Sequence, residues 1–187
     1  MGYSFISLAF NMDIIEKDLI KAAQKDPKAF GDIYDRYYPQ IFGYILKRTA
    51  NLETAQDITS ETFFKALKSL WQFRWQNIPF SSWLYRIATN EIANYFRKNG
   101  KVKMVSLQEA PELKSPSNPH EDFLQAEEEL EKNQNFLFLK TKINALSVEY
   151  QEVISLRFFE KKQIKEIAEI LKKKDGTVKS LLSRGLE

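Results

Sequence analysis

Apolar residues along this chain recur at three- and four-residue steps, and no stretch alternates with a period of two, so the pattern predicts helices throughout. Residues 13–24 form a first expected helix, with Ile15, Leu19 and Ala22 or Ala23 on one face. Pro27 suits the first turn of the next, where Phe30, Ile33, Tyr34 and Tyr37 share a side. Pro39 is expected to bend or interrupt that run before residues 41–48 continue it. Residues 53–71 read as a long helix whose apolar side is Ala55, Ile58, Phe63, Ala66, Leu67 and Leu70. A loop over 73–79 follows, and Ser81 or Ser82 is the expected cap of a helix reaching about Lys98.

The pattern then changes. Gly100 ends the helix, and Pro111, Pro116 and Pro119 fall among Ser, Glu and Lys, which is linker chemistry. Residues 120–131 carry Glu121, Asp122, Glu127, Glu128, Glu129 and Glu131 with no basic residue between them. Such a stretch is either a solvated helix surface or a cover for a basic groove until nucleic acid displaces it. Helical spacing resumes at 136–146 and 147–159, then at 163–171 and 177–186 as a close pair. The expected fold is therefore all-α: two small helical domains, 13–100 and 133–187, joined by a flexible acidic linker over 101–132.

Composition narrows the chemistry. The 187 residues are 43% hydrophobic, enough for packed cores. There is no cysteine, and the one histidine, His120, lies in the linker. Disulfides, thiolate metal sites, histidine metal clusters and cysteine or Ser–His nucleophiles are thereby excluded. No glycine-rich phosphate loop is present either. An enzyme is the least expected class, and neither a cofactor nor a metal is expected. The start, residues 1–10, is too short and too broken to span a bilayer or to read as a signal peptide. Met12 is the expected natural start, and the expected location is the cytoplasm, with no membrane insertion.

Two stretches carry nucleic-acid chemistry. In the final pair, Ile164, Ile167, Ala168 and Leu171 form one buried stripe, Asp175 is placed to cap the second helix, and Val178, Leu181 and Leu182 face inward. That leaves Thr177, Lys179, Ser180, Ser183 and Arg184 outward. Hydroxyls and cations on a second short helix suit a major groove; an ordinary helical hairpin with a solvated face is the plainer alternative. In residues 82–98, Trp83, Arg86, Asn90, Asn94 and Arg97 share a stripe, next to a loop bearing Phe73, Arg74 and Trp75, with Phe80 at its end. Rings stack on unpaired bases, amides meet base edges and cations hold phosphates, although Trp at helical spacing is more often core.

The string from Asp57 through Ile58, Glu61 and Phe63 to Ala66 resembles the polymerase-binding helix of bacterial sigma factors. Phe73-Arg74 followed by the run from Phe80 to Asn90 resembles their promoter-melting loop and minus-ten helix. Residues 146–160, 164–171 and 176–180 resemble the minus-thirty-five domain. In order and spacing the chain is similar to the extracytoplasmic-function branch of the sigma-70 family. The resemblance implies a non-catalytic subunit that binds core RNA polymerase and directs promoter-specific initiation. It places Asp57, Ile58, Glu61 and Phe63 at the clamp coiled coil of the largest polymerase subunit. It assigns Phe73, Arg74, Phe80, Trp83, Arg86, Asn90, Asn94 and Arg97 to minus-ten DNA, and Thr177, Lys179, Ser180, Ser183 and Arg184 to minus-thirty-five DNA. An anti-sigma partner is implied as well. The chain departs from the family at Ser60, where Gln is usual, in the longer loop Trp75–Pro79, and in ending at Glu187, a turn or two short of the usual extent. A polymerase-independent helix-turn-helix regulator and a protein-interaction module without DNA are the competing readings.

Overall fold

The computed structural model describes residues 16–75, 79–99, 142–143 and 145–186. The linker with its acidic stretch, Ile15 and the tip of the 73–79 loop lie outside them.

Helix α1 comprises residues 16–25. Its inward face is Glu16, Ile20 and Ala23: Ala23 is one of the two expected alternatives, and Ile20 takes the place expected of Leu19. The carboxylate of Glu16 explains the rotation: it accepts a hydrogen bond from the buried Tyr37 hydroxyl. After a 3-10 turn at Pro27–Ala29, α2 runs Phe30–Thr49. Of the two expected outcomes at Pro39, an interruption does not occur: the helix continues through it. Proline has no N–H for the Asp35 carbonyl, but Pro39 and Asp35 both lie on the exposed side, where solvent can satisfy that carbonyl. Ile33, Tyr37, Ile41 and Ile45 hold the buried side on both flanks of it.

Ala50, in the left-handed conformation (φ 55°), turns the chain, and the Asn51 side chain caps α3, Leu52–Ser69, by accepting from the Thr54 N–H at 2.7 Å. Helix α4 spans Phe80–Lys98. Its N-cap is Pro79, so the expected serine cap is corrected: Ser81 and Ser82 are buried in the first turn. Helices α2, α3 and α4 pack pairwise into the first core.

The C-terminal part holds α5, Val148–Ile154, which widens into a π-turn over Ser155–Phe159, then α6, Ile164–Leu171, and α7, Asp175–Gly185. Lys172 in the left-handed conformation closes α6. Lys174 is the N-cap of α7, and Asp175, the expected cap, stands one residue inside, where its charge still suits the helix N-terminus. Gly185 allows α7 to approach α5: a Cβ there would lie 3.1 Å from Ile154 Cδ1 and 3.2 Å from Tyr150 Cδ1.

The two helical parts are not apart. Helix α6 packs on α4 as well as on α7. Ile170, outside the helix-turn-helix stripe, is consequently as buried as Ile167 within it.

Candidate functional site

Three exposed helix faces are built from the expected residues. The first is on α3. Asp57 and Glu61 are exposed and one helical turn apart. Glu61 meets Lys65 at 3.2 Å, and Lys65 meets Glu91 of α4 at 2.7 Å. Those hydrogen bonds, Glu91 foremost, raise the Lys65 pKa. Ile58 and Phe63 do not belong to this face. Phe63 is only 3% exposed, with its ring centroid 4.8 Å from that of Tyr34 and near Phe30 and Tyr38. Ile58 is buried too. Both are core residues that set the helix against α2, a correction to their assignment as contacts.

The chain instead exposes Phe64 (50%), Leu67 and Trp71 (65%). Positions 57, 61, 64, 68 and 71 step by four and three, so acidic and aromatic groups form one continuous stripe. The Lys68 ammonium lies 4.1 Å from the centre of the Phe64 ring. This surface was missed because the apolar count rotated Leu67 inward with Leu70; spacing from Asp57 alone would have found it.

The second face is on α4 and the preceding loop. Asn90 and Arg97 are exposed, and Asn94 is half-buried, with its Oδ1 accepting from Arg97 at 2.8 Å. Trp83 is half-buried rather than core. Phe73, also half-buried, stands edge-on to Phe80 at 5.0 Å and tilted against Trp83 at 5.3 Å. Phe80 itself is fully buried, so its expected contact with DNA is corrected to a supporting role beneath Phe73 and Trp83. Arg74 is exposed, and its guanidinium donates to the Trp71 carbonyl at 2.9 Å. Gln24 of α1 was not foreseen: its amide donates to the Leu70 and Phe73 carbonyls at 2.9 and 3.1 Å, pinning the loop at its start. Arg86 faces the same side but is engaged. Its Nε and Nη2 donate to the Glu169 carbonyl at 3.1 and 2.8 Å, and Nη2 also meets the Glu169 carboxylate.

The third face is on α7. Val178 and Leu182 are buried. Thr177, Lys179, Ser183 and Arg184 are exposed, and Ser180 is half-buried. None of the five expected residues is buried.

Two family models match in chain order: Sigma-70 region 2 over residues 33–102, and Sigma-70, region 4 over residues 139–187. The chain belongs to the sigma-70 family. Region 2 holds α3, α4 and their loop; region 4 holds α5 to α7. Similar curated proteins fix the branch. SigW of Bacillus subtilis, an ECF RNA polymerase sigma factor, is 32% identical over 179 residues, 94% of this chain and 95% of SigW. YlaC of the same organism, an RNA polymerase sigma factor, is 33% identical over 140 residues, 75% of this chain and 78% of YlaC. The ECF sigma factor BldN of Streptomyces coelicolor is 31% identical over 170 residues, 90% of this chain, which spans 62% of the length of BldN. Two solved structures share the fold. CnrH in complex with the cytosolic domain of CnrY gives a TM-score of 0.65 at 19% identity, covering 91% of this chain and 92% of that one. The sigma factor RpoE in complex with the anti-sigma factor NepR, from Bartonella quintana, gives 0.58 at 22% identity, covering 85% and 92%.

Proposed function

We propose that this chain is a promoter-recognising subunit of bacterial RNA polymerase, a sigma factor of the extracytoplasmic-function type working in the cytoplasm. The observation that carries the proposal is the ordered pair of region 2 and region 4 matches, each containing an exposed helix face of the required chemistry. Asp57 and Glu61, continued by Phe64 and Trp71, form the surface for the clamp coiled coil of core polymerase. Asn90, Asn94 and Arg97, with Trp83, Phe73 and Arg74, form the surface for the opened minus-ten strand. Flipping a base costs a few kcal/mol, and stacking on a ring returns roughly 1–3 kcal/mol per base. Thr177, Lys179, Ser180, Ser183 and Arg184 enter the minus-thirty-five major groove, where phosphate contacts set the register and a few side chains read base edges. The subunit works by binding and strand positioning, not by covalent chemistry. Among the described residues no helix is long and apolar enough to cross a membrane. An anti-sigma protein is the further partner, supported by the RpoE–NepR fold relative.

The test is run-off transcription with purified core polymerase on genomic DNA, with and without the protein. New, discrete start sites are expected. Asp57→Ala with Glu61→Ala should weaken polymerase binding more than fork-DNA binding. A protein that binds promoter DNA equally tightly without polymerase, and starts no transcript with it, is instead an independent regulator.

A further inference from the structure

The match to region 2 begins at residue 33, so α1, residues 16–25, stands ahead of it. Its directed contacts nonetheless bear on the 73–79 loop of region 2 and on the rings beneath that loop. At one end the Glu16 carboxylate accepts from the Tyr37 hydroxyl, and the Tyr37 ring centroid lies 5.4 Å from that of Phe80. Phe80 in turn underlies Phe73 and Trp83, at 5.0 and 5.2 Å. One residue on, the Lys17 ammonium lies over the Trp75 ring, 4.9 Å from its centre. At the other end the Gln24 amide donates to the Leu70 and Phe73 carbonyls at 2.9 and 3.1 Å. Positions 16, 17, 20, 23 and 24 fall on one side of a helix. Ile20 and Ala23, each 4% exposed, seat α1 on the core, and the polar residues beside them hold the loop.

Phe73 and Trp75 belong to a loop, which has no hydrogen-bond ladder of its own to fix them. Phe73 stands edge-on to Trp75 with ring centroids 6.4 Å apart, and tilted against Trp83 at 5.3 Å. Gln24 fixes the Phe73 backbone and Lys17 fixes the Trp75 ring, so both restraints come from α1. Both rings are only half-buried. A ring already in place needs less ordering when a base stacks on it.

We propose that α1 is a brace for strand opening, in which Lys17 and Gln24 are positioning residues that hold Trp75 and Phe73 ready for an unpaired base. Neither has to touch DNA. The brace rests on the reading of these rings as a stacking surface for the minus-ten strand. It extends that function to a helix outside the matched region, and it gives a fixed orientation to Trp75, where the loop departs from the family.

The test uses holoenzyme reconstituted from core polymerase and the full chain. Affinity is measured for forked minus-ten DNA, and for the same fork with an abasic site at each unpaired position in turn. The ratio of the two affinities is the contribution of the base. For wild type it should reach about five- to hundredfold at one position, the usual worth of stacking on a ring. Gln24→Glu keeps the size of the side chain and loses its donors. Lys17→Met keeps the stem and loses the charge. Each should bring the ratio toward unity while affinity for the abasic fork and for core polymerase stays at wild type. Lys17→Arg, still a cation over the ring, should preserve the wild-type ratio. In a Trp75→Ala background, Lys17→Met should change nothing further. A base contribution retained in both Gln24→Glu and Lys17→Met overturns the brace. An equal fall on both forks also overturns it, and a shallower salt dependence in Lys17→Met then marks that lysine as a phosphate contact. A wild-type chain that forms no holoenzyme fails the sigma-factor reading, and a wild-type holoenzyme that ignores the base at every position fails the stacking surface; the brace falls with either.

Discussion

Adjacent phenylalanines on α3 have opposite expected behaviour. Phe63 packs among Phe30, Tyr34 and Tyr38 at ring-centroid distances of 6.4, 4.8 and 6.3 Å. Its truncation to Ala leaves a cavity between α2 and α3 and should cost about 3–5 kcal/mol. That is a large share of the roughly 5–15 kcal/mol that typically holds a domain folded. Phe64 is half exposed, with the Lys68 cation over its ring. Full burial of such a ring contributes about 1.5–3 kcal/mol, so truncation there should cost about 1 kcal/mol. The Lys68 contact adds about 0.5–1 kcal/mol at such an exposed site. Urea unfolding followed by circular dichroism measures the stabilities, and competition for core polymerase measures docking. Phe63→Ala should shift the unfolding midpoint strongly. Phe64→Ala should leave it near wild type while polymerase affinity falls. A Phe63→Ala protein as stable as wild type but defective in docking would refute the placement of these rings and restore Phe63 as the contact.

Other consequences are open to measurement. Glu152, desolvated by burial and only partly relieved by Arg48 and Lys173, has its pKa raised above 4.5. Its ionised form is therefore penalised in the folded state at neutral pH, and the penalty vanishes once pH falls below the ordinary carboxylate value. Glu152→Gln should then raise the melting temperature at pH 7, with the gain disappearing toward pH 4; a gain that grows on acidification would contradict the sign. Gln24→Ala removes both amide bonds to the Leu70 and Phe73 carbonyls, at about 1–3 kcal/mol, and should speed limited proteolysis within 73–79. Arg184→Ala should cost roughly 1–3 kcal/mol on the preferred upstream element if it reads a base; a uniform loss across sequences, with a shallower salt dependence, makes it a phosphate contact.

The helical spacing in the chain was sufficient for the class of fold and for most of the α7 surface. Val178 and Leu182 face inward because a helix repeats near 3.6 residues, and that repeat alone assigns Thr177, Lys179, Ser183 and Arg184 to the other side. The same logic located Asn90, Asn94 and Arg97 on α4. It placed Phe63 on the apolar side of α3, as found, and failed at Leu67, which stands exposed beside the buried Ala66; the position of α2 decides where the covered side ends. Glu16 took an inward position because Tyr37 offers it a hydrogen bond, which no hydrophobic count registers. Pro39 is tolerated because packing on both flanks outweighs one carbonyl given up to water. Contacts between the two helical parts were beyond local reading altogether: Arg86 meets Glu169 across 83 positions of chain, and Lys47 meets Glu160 across 113. Local pattern thus determined which helices form and which side of each is apolar, since those depend on neighbours a turn away. Which charges face each other was decided by tertiary packing, because a salt bridge depends on where two distant helices come to rest.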